Sequence, residues 1–286
     1  MKMFLKRVAA MAALLTLMAL VFVSITYILR GRILNYKIPT DKHIVFMGNS
    51  QLEMGIDDSK INGAINLAKS AKQYLFMRVD LKNLINENSQ IDTVFLVVSP
   101  FSIRAEDADR SYEDVSYISS VTYYAPYLTI GDLQELPVSS PFVKDLLFGG
   151  CLKYLASPQQ CGAYIYNTRN DMVQDKKKHD EGKVLEREKI KNGNAITQLE
   201  LERISRLCQS NNVKLILIST PNYEAAKNYN LSLFRSQVRN LQKKINIDYW
   251  EYVDYPMEDS CYSDMTHLNY KGAAIFTNII KSRLKR

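Results

Sequence analysis

The chain has 286 residues, 47% of them hydrophobic, and a formal net charge of +7. Residues 1–42 hold seven basic side chains and one acidic one, a net of +6, which leaves +1 for residues 43–286. A near-neutral body lacks the clustered basic surface that phosphate backbones demand, so a nucleic-acid partner is excluded from the reading.

The first element is Val8–Leu29, 22 residues without a charge between Arg7 and Arg30. As a helix it would run about 33 Å, enough for the hydrocarbon core of a bilayer. A cleavable leader has an apolar stretch of roughly 7 to 15 residues and a small-x-small site; this run is longer, and Ser24-Ile25-Thr26 is a poor site. A retained single-pass anchor is expected, with residues 1–42 forming tail, span and linker. Basic residues flank both sides (Lys2, Lys6 and Arg7; Arg30, Arg32, Lys37 and Lys42), so charge alone does not orient it.

Residues 43–286 suffice for one large domain. Ile44–Met47 reads as a short buried strand, followed by Gly48-Asn49-Ser50 and a helical pattern. Gly, Asn and Ser are ordinary turn and cap residues, but this turn also presents a hydroxyl and main-chain N–H groups at a helix start, where developing negative charge is stabilised. Further strands are expected at Ala64–Leu67 and Thr93–Val98, the latter running into Ser99-Pro100.

Residues 103 to about 194 break the strand–helix rhythm and read as an insertion of helices and loops. Its tyrosines, Tyr112, Tyr117, Tyr123, Tyr124, Tyr127, Tyr154, Tyr164 and Tyr166, could stack on sugars or pack with their hydroxyls wet. Lys176–Lys178, with His179, is followed by Asp180 and Glu181 and reads as a solvated loop. Four cysteines allow three full pairings; outside the cytoplasm Cys151–Cys161 is the most local. Cys208 sits in an apolar stripe with Ile196, Leu199, Ile204 and Leu207 on an expected helix Ala195–Gln209, and strands should follow at Val213–Ser219 and Tyr249–Asp254. The last helix is expected to begin after Asn269 as its cap and to end in basic residues that suit its dipole.

Between those last two elements lies Asp264-Met265-Thr266-His267. Three residues of separation let carboxylate and imidazole meet. A serine hydroxyl needs an imidazole to take its proton, and the imidazole works best when a carboxylate fixes its tautomer. Ser50, His267 and Asp264 are therefore the candidate nucleophile, base and orienting acid. Of the other two histidines, His43 stands before the first strand as a weaker competitor for the base, and His179 reads as surface. No Walker loop, dinucleotide fingerprint or zinc-type cysteine spacing appears, and no metal or organic cofactor is expected.

These residues resemble the SGNH/GDSL hydrolases, whose first block places the nucleophile in a Gly-Asp-Ser or Gly-Asn-Ser turn and whose last block is Asp-x-x-His. His267-Leu268-Asn269-Tyr270-Lys271-Gly272 is similar to the His-Leu-Asn-x-x-Gly form of envelope-associated members, including membrane-anchored D-alanyl transfer proteins and polysaccharide acetylation proteins. The resemblance implies an α/β, three-layer αβα sandwich around a central parallel sheet (SGNH or flavodoxin-like), in line with the strand–helix alternation. It implies an ester-acting serine enzyme on an acylated glycan or polysaccharide, a domain outside the cytoplasmic membrane, and an acyl-transfer partner protein. Two blocks depart from it: Ile65–Ala71 lacks the usual glycine, and Val98-Ser99-Pro100-Phe101-Ser102 lacks the usual asparagine. Oxyanion donors are then expected at the main chain of Ser50 and of Ala68 or Lys69. Substrate contacts are expected from Asn49, Ser99 and Asn222, beyond the carboxyl ends of the strands where ligands of open α/β sheets gather. The missing donors also keep open a catalytically weak binding or assembly protein of the same fold.

Overall fold

The computed structural model describes residues 1–100, 102, 122–135, 147–172, 195–223 and 231–285. Tyr112, Tyr117 and the basic run 176–178 with His179 lie outside the described residues. In chain order the elements are α1 (Lys2–Ile33), β1 (Leu34–Asn35), β2 (Ile44–Met47), α2 (Ser50–Glu53), β3 (Ala64–Asn66), α3 (Tyr74–Glu87) and β4 (Thr93–Val97). They continue with α4 (Ile130–Glu135), β5 (Gln159–Gln160), α5 (Ala195–Ser210), β6 (Lys214–Ile218), α6 (Leu231–Ile245), β7 (Asp248–Trp250) and α7 (Tyr270–Leu284).

The chain divides into two compact units, Met1–Tyr36 with Asp109–Gln160, and Lys37–Ala108 with Cys161–Arg286. That differs from the expected division, in which 1–42 stood alone and 103–194 was one insertion. The described residues 161–172 belong to the larger unit because their main chain is tied into it. Ile165 N–H donates to Glu53 O (2.8 Å), Asp171 N–H to Ser263 O (2.6 Å), and Asn167 O accepts from Tyr270 N–H (2.8 Å).

The larger unit is built on a five-stranded, all-parallel sheet in the order β3-β2-β4-β6-β7. Counted along the chain this is 2-1-3-4-5, a doubly wound order whose direction reverses between β2 and β4. Right-handed crossovers put α3, α5 and α6 on one face, and the β2–β3 connection and α7 on the other. Packing agrees: α3 meets α5, α5 meets α6, and α7 meets the short turn Asp58–Lys60 of that connection. Strands buried on both faces read as continuous apolar runs, and Val45, Phe46, Met47, Val94, Phe95, Leu96, Val97, Leu217 and Ile218 are all buried. Phe46 stacks on Phe95 at 4.8 Å across neighbouring strands, and Trp250 meets Phe95 edge-on at 4.9 Å.

The last strand stops at Trp250 and not at Asp254, because beyond it a side-chain oxygen and a loop amide take the place of the regular ladder. Tyr252 N–H donates to Ser219 Oγ (2.7 Å), and Val253 O accepts from Asn222 N–H (3.1 Å). On α5 the buried stripe is Leu201, Ile204 and Cys208, while Leu199 is exposed. Glu200, also buried, explains how that face stays polar: it pairs with Arg78 of α3 (2.6 Å) and with Arg203 (2.6 Å).

In the smaller unit, α1 is long and apolar enough to cross a membrane. Its carboxyl end packs on the turns Thr122–Tyr127 and Gly150–Leu155, and β1 pairs in parallel with β5. All four cysteines are free thiols and buried, so the Cys151–Cys161 bridge is not formed. Cys151 is folded into the smaller unit and Cys161 into the larger. Burial pushes the Cys161 thiol well above its ordinary pKa.

Candidate active site

The carboxyl end of β2 turns sharply at Gly48. A Cβ there would lie 2.6 Å from Val97 Cγ1 and 3.1 Å from Leu52 Cδ1, so the close approach of β4 and α2 requires glycine. Asn49 caps α2, its side chain accepting from Gln51 N–H (3.1 Å), which sets Ser50 as the first helical residue. This short helix is held from beneath by Asn66 at the end of β3. The buried Asn66 amide donates to Leu52 O and Ile56 O, both at 2.8 Å, and its oxygen accepts from Ala68 N–H (3.0 Å). Full use of a buried amide fixes a geometry better than apolar packing does.

The second half of the site is a tight loop between Cys261 and Asn269. Tyr262 and Leu268 form an antiparallel bridge. Ser263 N–H donates to His267 O (3.0 Å), and Asn269 N–H to Cys261 O (3.0 Å). Asn269 caps α7 through Lys271 N–H and Gly272 N–H, and its amide nitrogen reaches back to Ser260 O (2.8 Å) and Tyr262 O (3.1 Å). A Cβ on Gly272 would stand 2.2 Å from Cys261 O. The pattern His-Leu-Asn-x-x-Gly is therefore structural: Leu268 fills the core, Asn269 ties loop to helix, and Gly272 lets them touch.

At the tip of this loop, His267 Nε2 lies 2.8 Å from Ser50 Oγ, across 217 residues of sequence. His267 Nδ1 lies 2.9 Å and 3.0 Å from the two oxygens of Asp264. An Nδ1–H directed at the carboxylate leaves Nε2 as acceptor for the serine O–H, the tautomer proton abstraction needs. Thr266, which sequence reasoning passed over, completes the arrangement. Its N–H (2.8 Å) and O–H (2.9 Å) both donate to Asp264 Oδ1, and its Oγ1 stands 2.9 Å from His267 Nδ1. His267 N–H adds a third bond to the same oxygen (2.9 Å). Burial, the largest single influence on Asp264, works to raise its pKa. The His267 hydrogen bond and charge, with the Thr266 bonds, outweigh burial and hold the carboxyl at about 2 against an ordinary 3.8.

Two more side chains lock the halves together. The buried Asn167 donates through its amide to Leu268 O (3.3 Å) and contacts Met54 Sδ (3.2 Å), bridging the serine turn and the histidine loop. Asn222, expected to touch substrate, donates to Thr266 O (3.3 Å). The signal for Asn66, Asn167 and Asn222 was available as amides among apolar or turn residues, but only the fold shows which carbonyls they meet.

The other expected contacts are spent locally. Ser99 closes a turn with Ser102, whose Oγ accepts from Ser99 N–H (2.8 Å) and from Tyr74 O–H (3.0 Å). Of the oxyanion donors, Ala68 N–H is taken by Asn66 and Lys69 N–H donates to Gly48 O (3.0 Å). Both amides are engaged because the loop after β3 is pinned: the buried Lys72 ammonium bonds Asp80 Oδ2 (2.7 Å), Leu67 O and Cys161 O. Among the described residues nothing accepts from Ser50 N–H. Among them, too, no cluster of His, Cys, Asp or Glu could hold a metal ion.

Among solved structures the chain is similar to a GDSL-like lipase from Bacteroides thetaiotaomicron VPI-5482, at 14% identity and TM-score 0.43 over 87% of this chain and 91% of that one. It is also similar to a catalytic mutant of Axe2, an acetylxylan esterase from Geobacillus stearothermophilus, at 11% identity and TM-score 0.41 over 87% and 97%. No family model matches the chain, and no curated relative matches it.

Proposed function

We propose that the protein is a membrane-anchored serine esterase or O-acyltransferase acting on acyl esters of an envelope glycan. One observation carries the reading: the continuous relay from Ser50 Oγ through His267 to Asp264, with contacts of 2.8 and 2.9 Å. In this mechanism Ser50 Oγ attacks the ester carbonyl carbon while His267 Nε2 takes the hydroxyl proton. The tetrahedral oxyanion receives Ser50 N–H. Collapse breaks the bond to the leaving alcohol, which takes the proton from His267 and departs, leaving acyl-Ser50. Attack by water, deprotonated by the same imidazole, gives the carboxylic acid; attack by a sugar hydroxyl gives a new ester. Asp264 stays ionised and holds the imidazolium in place.

The glycan part of the proposal draws on the strap 161–172, where Tyr166 and Tyr270 lie 5.1 Å apart, Tyr166 well exposed, and Tyr270 three residues beyond His267. An exposed ring at Tyr166, backed by the half-buried Tyr270, suits the face of a sugar. The membrane part draws on α1.

The test is covalent labelling of the full chain by a fluorophosphonate probe, read by mass spectrometry together with ester hydrolysis. Labelling at Ser50, absent in Ser50→Ala, is expected; a folded protein that leaves Ser50 unlabelled and hydrolyses esters equally well as Ser50→Ala sinks the proposal. A second reading, a binding or assembly protein with weak catalysis, is favoured by one feature: the Ala68 and Lys69 amides are already bonded. One oxyanion donor is worth roughly 3 kcal/mol of barrier. Under that reading His267→Ala binds glycan as the parent does and no turnover is there to lose.

A further inference from the structure

We propose that the described segments 122–135 and 147–160 form a membrane-interface element, seated at the headgroup level of the same bilayer that α1 crosses. The proposal rests on the anchor reading of α1 and concerns a different part of the chain.

One stripe of α1 is covered by the rest of its unit. Thr26 and Ile33 are buried, and the Phe22 ring packs against Gly149, close enough that a Cβ on that glycine would lie 2.8 Å from it. Positions 22, 26, 29 and 33 fall on one helical stripe. Further along, the Tyr127 hydroxyl donates to the carbonyls of Arg30 and Leu34, the latter at 2.9 Å, and its ring meets Tyr36 edge-on at 5.2 Å. The insertion thus grips α1 from Phe22 to Leu34.

The other faces of those same turns are bare and apolar: Leu20, Val21, Ile25, Tyr27 and Ile28 are all exposed, Ile28 to 76%. A row of that kind on a helix of membrane-crossing length belongs in lipid. Lipid that covers Val21, Ile25 and Ile28 on one side reaches the depth of Phe22 and Thr26 on the other, where the insertion sits. From Phe22 to the end of the uncharged run at Leu29 is about 10 Å along a helix, the depth to which interfacial elements sink.

The insertion's surface at that level is suited to this position. Leu147 and Phe148, directly before Gly149, are exposed, Phe148 to 67%. The part-exposed Tyr154 stands edge-on to the buried Tyr123 (5.3 Å), and on α1 Arg30 stacks on the exposed Tyr27 (4.0 Å). Amphipathic rings and cations concentrate where hydrocarbon gives way to headgroups. Exposed Lys153 and Arg32 would meet anionic lipid there.

Depth-dependent fluorescence quenching tests this on the full chain. The chain has one tryptophan, so Val21→Trp, Phe148→Trp and Leu147→Trp are each made in a Trp250→Phe background. They are reconstituted in phosphatidylcholine–phosphatidylglycerol vesicles with and without brominated acyl chains. At least a twofold loss of emission to brominated lipid is expected for Val21→Trp and for Phe148→Trp or Leu147→Trp, with little quenching by iodide. Quenching at Val21→Trp alone, with both insertion probes open to iodide, overturns the interface proposal and leaves the anchor standing. Insertion probes shielded from bromine and iodide alike point to a second copy of the chain on this surface and overturn it too. No quenching at Val21→Trp removes the anchor itself.

Discussion

Two histidine–aspartate pairs of equal contact length stand at opposite ends of the parallel sheet. His43 and Asp92, just before β2 and β4, meet at 2.9 Å with side chains 45% and 61% exposed; His267 and Asp264, beyond the carboxyl ends, meet at 2.9 Å with 23% and 31%. What differs is the second ring nitrogen. His43 Nε2 lies over Gly63, where a Cβ would come within 2.3 Å, so main chain occupies that side of the ring. His267 Nε2 faces the Ser50 hydroxyl. The carboxylates differ as well: Asp92 takes one further side-chain bond, from Thr93 O–H (2.7 Å), whereas Asp264 is held by the N–H groups of Thr266 and His267 and by the Thr266 hydroxyl. A short imidazole–carboxylate contact is thus common property. A fixed carboxylate on one nitrogen and a hydroxyl on the other give the His267 pair the geometry that a proton relay needs.

That contrast breaks most visibly under truncation. Ser50→Ala and His267→Ala should each lower ester turnover by roughly 10⁴- to 10⁶-fold, the loss seen when members of such relays are removed, while His43→Ala should stay within about twofold. Equal losses from His43→Ala and His267→Ala in a steady-state assay would erase the distinction. Next in size is the orienting acid: Asp264→Asn should cost up to about 10⁴-fold in kcat by favouring the wrong tautomer, with Asp92→Asn unchanged.

The two ends were unequally legible in the sequence. Ser50 and the Asp264–His267 pair could be named because their spacing is local, a turn after an apolar strand and three residues on one loop. The sheet was legible too, since buried parallel strands read as unbroken apolar runs; only their ends slipped, as at Tyr252, where Ser219 Oγ took the N–H a ladder carbonyl would have shared. What stayed hidden depends on contacts between distant segments. That Ala68 and Lys69 amides are engaged follows from Asn66, Gly48 and the buried Lys72, none of which a strand pattern reveals. The strap 161–172 was assigned to an insertion because it lacks periodicity, yet Asn167 and Ile165 tie it to both halves of the site.

Asn66 acts one step back from Ser50, on the turn that carries it. Asn66→Ala leaves the Leu52 and Ile56 carbonyls buried without their donor, at a cost of about 1 to 3 kcal/mol. Because those carbonyls belong to the turn that carries Ser50, kcat should fall about tenfold or more with KM little changed. His43→Ala, on an exposed pair at the other end, should match the parent in both thermal unfolding and kcat. A purely structural role for Asn66 would lower the melting temperature and leave kcat per labelled serine intact.

The smallest effect separates the two carboxylates by pH. Asp264 is held at about 2 in the folded protein, below its ordinary 3.8. A depressed carboxylate stabilises the fold above its unfolded pKa, and that contribution fades as pH falls through the folded one. Wild type should therefore exceed Asp264→Asn in unfolding free energy by on the order of 1 to 2 kcal/mol between pH 5 and 7, the partial exposure of the pair keeping the figure low. The gap should narrow from about pH 4 and nearly close by pH 2. Asp92→Asn, removing a pair open to solvent and salt, should differ from wild type by no more than about 0.5 kcal/mol at pH 7. Denaturant titrations in detergent at pH 7, 4 and 2.5 measure both differences. An Asp264→Asn gap that holds its size down to pH 2.5 would mean that the carboxylate is not preferentially stabilised in its charged form, and the relay would lose the fixed negative charge that distinguishes it from the pair at His43.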